Sequence, residues 1–384
     1  MLRIAIVGCG KIADEHAQHI RRIPGCALVA VCDAELLMAK QMHDRFDKVD
    51  YFDDLESLLS RARPHVVHIT TPPQTHFSLA QRCLDAGCHI YVEKPFTLTA
   101  AEAEGLISQA QDRRLKITAG HNLLFTEPAL RLRDLVNAGF LGGEPVHLES
   151  YYGYNLGDQA YARAFLGDSQ HWLRRLPGGL FQNIISHGIS RIARYIKSDS
   201  PSILAQAFTS RFLRDLGEHD IQDELRVIIN DESTTAYFTF STQMRPQLSL
   251  FRIYGQQNGL VLDDYQGTLI KLNGKKYKSY LDNFVPPTEL GSQYLRNAVS
   301  NMRKFATGQL NMTGGMRNLI AAFYQSITDD VAAPIAYREI VLTARIMDAI
   351  FAQAHASRQN RSALSSALEE SPPRDREASC KATV

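Results

Sequence analysis

In the first third of the chain, short continuous apolar runs alternate with stretches in which apolar residues recur at helical spacing. Short apolar runs, typical of strands covered on both faces, occur at residues 2–7, 27–32, 66–70, 89–92 and 115–119, with a shorter one near Tyr51. Between these runs, Ile12, His16 and Ile20 recur at helical spacing. The alternation predicts an α/β fold: a doubly wound parallel sheet of the Rossmann type over residues 1–121.

The pattern changes from about residue 145. Strand-like runs follow one another without intervening helices, which predicts a mainly antiparallel sheet, at residues 145–152, 203–212, 225–230, 234–240 and 248–254. Asn273-Gly274 favours a hairpin turn. Amphipathic stretches follow near residues 289–305, 315–328 and 336–354. We predict a second, α+β domain with an open sheet over residues 122–355, and a disordered tail over the Ser-, Arg- and Glu-rich residues 356–384.

The composition argues for a small-molecule partner. Lys and Arg number 42 and Asp and Glu 41, so the chain lacks the net charge that attracts nucleic acid or anionic membranes. The six cysteines include no C-x-x-C pair, so we expect reduced thiols and no metal site. No apolar run approaches the roughly 20 residues of a membrane helix, and the first residues do not resemble a signal peptide. These features predict a cytoplasmic protein.

A glycine-rich turn stands between the first predicted strand and the first predicted helix, with the sequence Gly8-Cys9-Gly10-Lys11-Ile12-Ala13. Gly8 permits a tight turn, Gly10 lets the backbone approach a pyrophosphate, and Ala13 allows close packing of the helix. The N–H groups at the start of the helix, around Lys11 and Ile12, can bind phosphate. The motif predicts a dinucleotide-binding turn.

Asp33 stands at the end of the second predicted strand. A carboxylate there can accept hydrogen bonds from an adenosine ribose and repels a 2′-phosphate, so the predicted cofactor is NAD rather than NADP. The alternative is a glycine-rich turn in a domain that binds no cofactor, with Asp33 as a helix cap.

Glu93-Lys94-Pro95 directly follows a predicted strand. Ligands of open α/β sheets bind beyond the carboxyl ends of the strands, so Lys94 should point into the cofactor cleft. Its ammonium could polarise a substrate oxygen or shuttle a proton. The alternative is an exposed lysine paired with Glu93.

A third candidate segment lies in the second domain, where Gly178 and Gly179 precede a helical run. Asn183 and His187 are four residues apart in that run and therefore share a face. The imidazole of His187 can take a hydroxyl proton as hydride leaves the same carbon. Asn183 can orient a substrate but cannot titrate. The alternative for His187 is a structural histidine.

The residues before this run supply aromatic and arginine side chains. Aromatic faces suit sugar rings, and guanidinium groups suit carboxylates or phosphates. We therefore expect substrate contacts from Tyr154, Arg163, Trp172 and Arg174. The alternative is an insertion that packs on its own aromatic residues.

At these residues the chain resembles the glucose-fructose oxidoreductase, inositol dehydrogenase and MocA family of NAD(P)-dependent enzymes. The resemblance covers about residues 1–355, and it rests on the glycine turn, Thr71-Pro72 followed by His76, Glu93-Lys94-Pro95, and the pattern of Trp172, Gly178, Gly179 and His187. It implies a Rossmann domain, an open sheet often used for homo-oligomerisation, and oxidation or reduction of sugars, inositols or nucleotide sugars. It also implies that Thr71, Pro72, His76 and Glu93 belong to the cofactor site and that Lys94 and His187 are the catalytic pair.

Two positions depart from the family pattern, which commonly has aspartate where Asn183 and Ser190 stand. A carboxylate relay to His187 is therefore in doubt. Some relatives that act on nucleotide sugars are similar in having Asn at the first position, which favours that substrate class. The expected function is NAD-dependent hydride transfer at a secondary hydroxyl. A non-catalytic NAD(P)-binding sensor or scaffold and an NAD-dependent glycoside hydrolase stay open as alternatives.

Overall fold

The computed structural model describes residues 1–156, 166–168, 170–308, 310 and 313–369. These residues form two sheets with helices packed against them. In the described ranges, no helix combines the length and the apolar character needed to cross a membrane.

The first sheet has six parallel strands in the order β3-β2-β1-β4-β5-β6. The strands are β1 (Leu2–Val7), β2 (Cys26–Cys32), β3 (Asp50–Phe52), β4 (Val66–Ile69), β5 (His89–Val92) and β6 (Ile117–Ala119). This confirms the predicted doubly wound sheet, whose order reverses between β1 and β4. The strand predicted from residue 115 begins at Ile117 because the Leu115 N–H closes the preceding helix by donating to Ala110.

Helices connect these strands, and the first of them contains the predicted helical repeat of Ile12, His16 and Ile20. They are α1 (Lys11–Arg21), α2 (Leu36–Arg45), the short α3 (Leu55–Ser57) with a π-helical turn at Leu58–Ala62, α4 (His76–Asp85) and α5 (Ala100–Asp112). Thr99 caps α5, since its side chain accepts from the N–H of Glu102. The crossovers leave the carboxyl ends of all six strands at one edge of the sheet.

The second sheet has seven strands in the order β13-β12-β11-β7-β10-β9-β8. The strands are β7 (His147–Gly153), β8 (Ser202–Phe208), β9 (Glu224–Asn230), β10 (Thr235–Ser241), β11 (Ser249–Tyr254), β12 (Asn258–Asp263) and β13 (Thr268–Asn273). β7 and β10 pair in parallel, and every other neighbouring pair is antiparallel. This confirms the predicted mainly antiparallel sheet.

Two local predictions in this sheet are wrong. The turn between β12 and β13 lies at residues 264–267, where Gly267 has a positive φ of 60°, and Asn273 ends β13 instead of starting a hairpin. The strand predicted over residues 203–212 ends at Phe208 because Ser210 caps a helix, its side chain accepting from the N–H of Leu213.

Seven helices are described in the later part of the chain. They are α6 (Glu127–Asn137), α7 (Gly179–Ile184), α8 (Ser186–Ala193), α9 (Arg211–Asp215), α10 (Val285–Ala306), α11 (Gly314–Thr328) and α12 (Tyr337–Glu369). The predicted start of the tail, residue 356, falls inside α12, since no glycine or proline occurs between residue 356 and Pro372 to end the helix. Residues 370–384 of the predicted tail lie outside the described residues.

The two sheets support two hydrophobic cores, but the chain does not divide cleanly between them. Leu319, Ile320 and Phe323 of α11 are fully buried in the core of the first sheet, although the second sheet precedes them in the chain. The predicted boundary at residue 121 therefore separates the sheets but not the cores.

Candidate active site

The glycine turn joins β1 to α1. Gly8 has a φ of +96°, and a Cβ atom there would lie 2.7 Å from the main-chain nitrogen of Thr71, so only glycine fits. A Cβ atom on Gly10, the N-cap of α1, would meet no protein atom within 4 Å. Packing within the protein therefore does not require glycine at position 10. Ala13 is fully buried, as close packing of α1 on the sheet requires.

Asp33 follows β2 and is held beside this turn. Its Oδ2 accepts from the N–H of Cys9 at 2.7 Å, and its Oδ1 accepts from the N–H of Glu35 at 3.0 Å. The N-cap of α2 is Glu35, so Asp33 is not the cap of that helix. The carboxylate therefore lies beside the glycine turn.

The loop after β4 contains the predicted Thr71, Pro72 and His76. Thr71 is half-buried and Pro72 is exposed, whereas His76 is fully buried. The ring nitrogens of His76 lie 2.9 Å from the main-chain oxygens of Thr71 and Pro95. His76 therefore ties the loop after β4 to the loop after β5 and does not present its ring at the cleft.

Lys94, which follows β5, contacts the second domain. Its Nζ donates to the main-chain oxygen of Asn183 at 3.0 Å and to the side-chain oxygen at 3.3 Å. An ammonium has three N–H groups, so one remains for another acceptor. Burial lowers the pKa of Lys94, and the charge of Glu93 opposes that shift.

His187 lies on α8, just beyond the short break between α7 and α8 at Ile185. Its ring stacks on that of Tyr152, with centroids 5.5 Å apart. Burial, followed by the charge of Lys94, holds the pKa of His187 well below its ordinary value, so the imidazole is neutral near pH 7. Within the described part of the chain, its Nδ1 atom has no hydrogen-bond partner.

The sequence analysis missed His121, which lies just past β6. This side chain is 3% exposed. Burial lowers its pKa to about 4, with Glu93 raising and Lys94 lowering the value, and its charge in turn lowers the pKa of His187. Three groups of one site, Lys94, His121 and His187, are therefore electrostatically coupled. The available signal was the position of a histidine directly beyond a predicted strand, the same signal that identified Lys94.

Arg191, on the same helix as His187, was also missed. It is 3% exposed and pairs with Asp264, and its charge lowers the pKa of His187. Ser190, where the family commonly has aspartate, donates to the main-chain oxygen of His187 at 3.4 Å. Asn183 contacts Lys94, so it acts on the lysine of the pair.

The residues predicted to contact substrate lie in different environments. Tyr154 is half-buried, and burial raises its pKa. Trp172 packs against the second core. Arg174 donates to both carboxylate oxygens of Glu218, at 2.7 and 3.0 Å, and lines a cavity of about 430 Å³ near Gly178. Arg163 lies outside the described residues.

A parallel sheet in this strand order, with a glycine turn and a strand-end aspartate, defines a dinucleotide-binding protein. Residues 2–121 match the GFO_IDH_MocA family, described as "Oxidoreductase family, NAD-binding Rossmann fold". The first domain therefore matches this family of NAD-binding Rossmann folds, which confirms the resemblance predicted from the motifs over that part of the chain.

Characterised relatives match a limited part of the chain. The D-glucoside 3-dehydrogenase of Escherichia coli K12 is 31% identical over 142 residues, which are 37% of this chain and 40% of that protein. The UDP-N-acetylglucosamine 3-dehydrogenase of Acidithiobacillus ferrooxidans is 35% identical over 149 residues, 39% of this chain and 44% of that protein. The match thus spans about two fifths of the length of these relatives.

The likeness of the fold extends over both sheets. The structure of the WlbA dehydrogenase from Bordetella pertussis, in complex with NADH and UDP-GlcNAcA, superposes with a TM-score of 0.73 at 15% identity. The superposition covers 93% of this chain and 96% of that one. The two proteins share the architecture of both domains.

Proposed function

We propose that this protein is an NAD-dependent oxidoreductase that transfers hydride between a secondary hydroxyl of a sugar-like substrate and nicotinamide. The observation that carries the proposal is the meeting of Lys94 with Asn183, at 3.0 Å, in the helical segment that also contains His187. This contact lies beyond the carboxyl ends of the NAD-binding sheet, where ligands of such folds bind.

His187 is the proposed acid/base group. Its imidazole is neutral near pH 7 because burial and the neighbouring cations disfavour the protonated form. A neutral imidazole can accept the proton of a substrate hydroxyl and return it in the reverse direction. Bound NAD would supply the acceptor for the hydride that leaves the same carbon.

Lys94 is the proposed group that stabilises the developing oxyanion. Two of its N–H groups are used by Asn183, which orients the third. Asn183 is neutral, so unlike an aspartate it holds Lys94 without neutralising the ammonium. The positive charge stays available to the substrate oxygen.

The first domain supplies the proposed cofactor contacts. The turn at Gly8 and Gly10 and the start of α1, at Lys11 and Ile12, would hold the pyrophosphate. Asp33 would accept from the ribose hydroxyls and repel a 2′-phosphate.

For the substrate class, we propose sugars, inositols or nucleotide sugars. Among the proteins that share sequence or fold, one is named for UDP-N-acetylglucosamine and one was solved with UDP-GlcNAcA. Asn183 in place of aspartate favours nucleotide sugars. Tyr152, stacked on His187, and Tyr154 offer aromatic faces for a sugar ring.

We further propose that the second sheet mediates self-association. Leu204, Ile228 and Tyr237 lie directly opposite one another on β8, β9 and β10. All three are exposed, at 66%, 45% and 47%. Such a row on a sheet face is typical of a contact with another protein surface, here a second copy of the chain.

A panel of free polyols, sugars and nucleotide sugars, incubated with NAD, tests the activity. Net NADH formation from a free substrate supports the proposal. Release of an aglycone without net NADH would instead identify a glycoside hydrolase, and NAD binding without either reaction would identify a sensor or scaffold.

A further inference from the structure

Four buried side chains form a continuous hydrogen-bonded chain beneath the cofactor edge of the first sheet. The hydroxyl of Tyr324 lies 2.7 Å from Nε2 of His68, and Nδ1 of His68 lies 2.8 Å from Nδ1 of His16. Nε2 of His16 lies 3.0 Å from Oε1 of Glu93. The four residues come from α11, β4, α1 and the end of β5, so the chain joins elements that are distant in sequence.

The hydrogen-bonded chain of Tyr324, His68, His16 and Glu93 is closed to solvent. His16 and His68 are 0% exposed, Tyr324 is 2% exposed and Glu93 is 7% exposed. The ring of Tyr91 stacks on that of His68, with centroids 4.6 Å apart and planes 1° apart. Because Tyr324 ends in the hydrophobic core, the hydrogen-bonded chain offers no route for protons to water at that end.

The donor in each of these hydrogen bonds follows from its acceptor. Glu93 is buried, which opposes ionisation, but the hydrogen bond donated by His16 and the charge of Lys94 hold its pKa below the ordinary value. A carboxylate only accepts, so Nε2 of His16 must donate to it.

In a neutral His16, Nδ1 is then the acceptor, and Nδ1 of His68 must donate to it. Burial holds the pKa of His68 well below its ordinary value, so His68 is neutral and its Nε2 accepts from the hydroxyl of Tyr324. Every donor in the chain points the same way, from Tyr324 toward Glu93.

We propose that Tyr324, His68 and His16 are positioning residues that keep Glu93 as an ionised, oriented acceptor beside Lys94. Oε2 of Glu93 accepts the main-chain N–H of Lys94 at 3.1 Å, so the carboxylate also holds the backbone from which the lysine projects. The inference deepens the proposed function and rests on it where it assigns a role to Lys94. The hydrogen-bonded chain itself does not depend on that function.

The carboxylate is the charge that balances the cations of the site. Its charge raises the pKa of both Lys94 and His121. The titratable groups that face Glu93 are His16, His76, Tyr91, Lys94 and His121. In the described structure, His16 is the one of these whose side chain is hydrogen-bonded to the Glu93 carboxylate, whereas Lys94 donates to it from the main-chain N–H.

Removing the hydroxyl of Tyr324 should change the hydrogen bonds along the rest of the hydrogen-bonded chain. In Tyr324→Phe, Nε2 of His68 loses its donor, so the tautomer of His68 with its proton on Nδ1 loses the hydrogen bond that favours it. The fraction of molecules in which His68 carries its proton on Nε2 should rise, and in those molecules His16 donates to His68 and no longer to Glu93. The pKa of Glu93 should therefore rise.

Long-range ¹H–¹⁵N NMR of the cofactor-free protein tests the assignment, because it distinguishes the two neutral tautomers from the imidazolium. Spectra are assigned with single histidine-to-glutamine variants. We expect His68 protonated at Nδ1 and His16 protonated at Nε2 in the unsubstituted protein. The opposite tautomers, or a charged His16, would overturn the proposal even if Tyr324→Phe does not fold.

The second measurement follows the ¹³C carboxyl signal of Glu93, assigned by its loss in Glu93→Gln, as pH is varied. Tyr324→Phe should raise the pH at the midpoint of the Glu93 carboxyl titration. Tyr337→Phe is the matched control, since it removes a hydroxyl that accepts from the N–H of Ile117 at 3.3 Å and does not belong to the chain. Equal midpoints in Tyr324→Phe and Tyr337→Phe would refute the proposal. Both readouts work without cofactor or substrate, so failure of the proposed oxidoreductase activity would leave them unchanged.

Discussion

The ammonium nitrogen of Lys94 lies 3.0 Å from the main-chain oxygen of Asn183 and 3.3 Å from its side-chain oxygen. The contact joins the end of a strand in the NAD-binding sheet to a helix that precedes most of the second sheet. It places the candidate base, His187, within the electrostatic reach of the lysine. The consequences of this arrangement are measurable.

Loss of either member of the proposed catalytic pair should lower kcat. We expect Lys94→Ala and His187→Ala each to reduce it by about 10²–10⁴-fold, since each removes proton transfer or charge stabilisation from the transition state. Lys40→Ala, at an exposed position of α2, is the control and should keep full activity. Full turnover in both site variants would end the assignment.

Asn183→Asp should shift the acid limb of the pH profile of kcat/KM to higher pH. A carboxylate in contact with Lys94 would offset the positive charge that lowers the pKa of His187, so that pKa should rise. The base must be neutral to accept a proton, so kcat/KM should begin to fall about one unit higher in pH than in the unsubstituted enzyme. Asn283→Asp makes the same change at an exposed position and should leave the profile in place. An unmoved acid limb in Asn183→Asp would argue against His187 as the base.

Asp33→Asn should weaken the preference for NAD. The amide keeps an oxygen that can accept from Cys9, but it no longer repels a 2′-phosphate. The ratio of kcat/KM for NAD to that for NADP should fall by roughly tenfold, equivalent to about 1.4 kcal/mol. Asp44→Asn, exposed on α2, provides the control. The same cofactor ratio in both variants would exclude Asp33 as the ribose ligand.

The protein should lose stability as pH falls from 6.5 toward 4. His121 has a pKa of about 4 in the folded state because of burial, so the unfolded chain binds its proton first and unfolding becomes more favourable. Between pH 7 and pH 5, His121→Gln should lose about 2 kcal/mol less free energy of unfolding than the unsubstituted protein. Urea unfolding at the two pH values measures this difference. His219→Gln, at an exposed histidine, should not change it.

A charge on the outer face of the second sheet should disrupt self-association. Ile228 is the middle residue of the exposed row formed with Leu204 and Tyr237, so Ile228→Glu would place a carboxylate at the centre of the proposed contact. Sedimentation velocity should show a smaller species than for the unsubstituted protein. Lys275→Glu changes an exposed charge elsewhere and should leave the mass unchanged. A monomeric unsubstituted protein would contradict the proposal directly.

Much of the fold was predictable because the deciding interactions are local. Short apolar runs identified the strands of the first sheet, helical spacing identified α1, and the glycine turn before Lys11 identified the binding edge of the sheet. The second sheet was less predictable. β12 and β13 were missed, and the turn between them was displaced to Asn273-Gly274, because short strands are stabilised by pairing with distant neighbours as much as by their own composition.

The residues of the candidate site likewise divide into those that the sequence could identify and those that it could not. Lys94 and Asp33 follow from their positions at strand ends, and His121 could have been found by the same rule. Arg191 was not foreseeable, since its partner Asp264 is far away in the chain. Arg174 was expected at the substrate but is held by Glu218, a pairing that its own neighbours in sequence do not reveal.

Residue order and spacing were enough to predict the Rossmann domain, its cofactor class and the family that this domain matches, because helix periods, turn chemistry and the strand-end rule operate over a few residues. Folding alone brought Asn183 to Lys94, set Tyr324 of a late helix against His68 in the first core, and made His187 neutral. These features depend on burial and on contacts between segments that are remote in the chain. Desolvation and hydrogen-bond direction arise only once such segments have packed together.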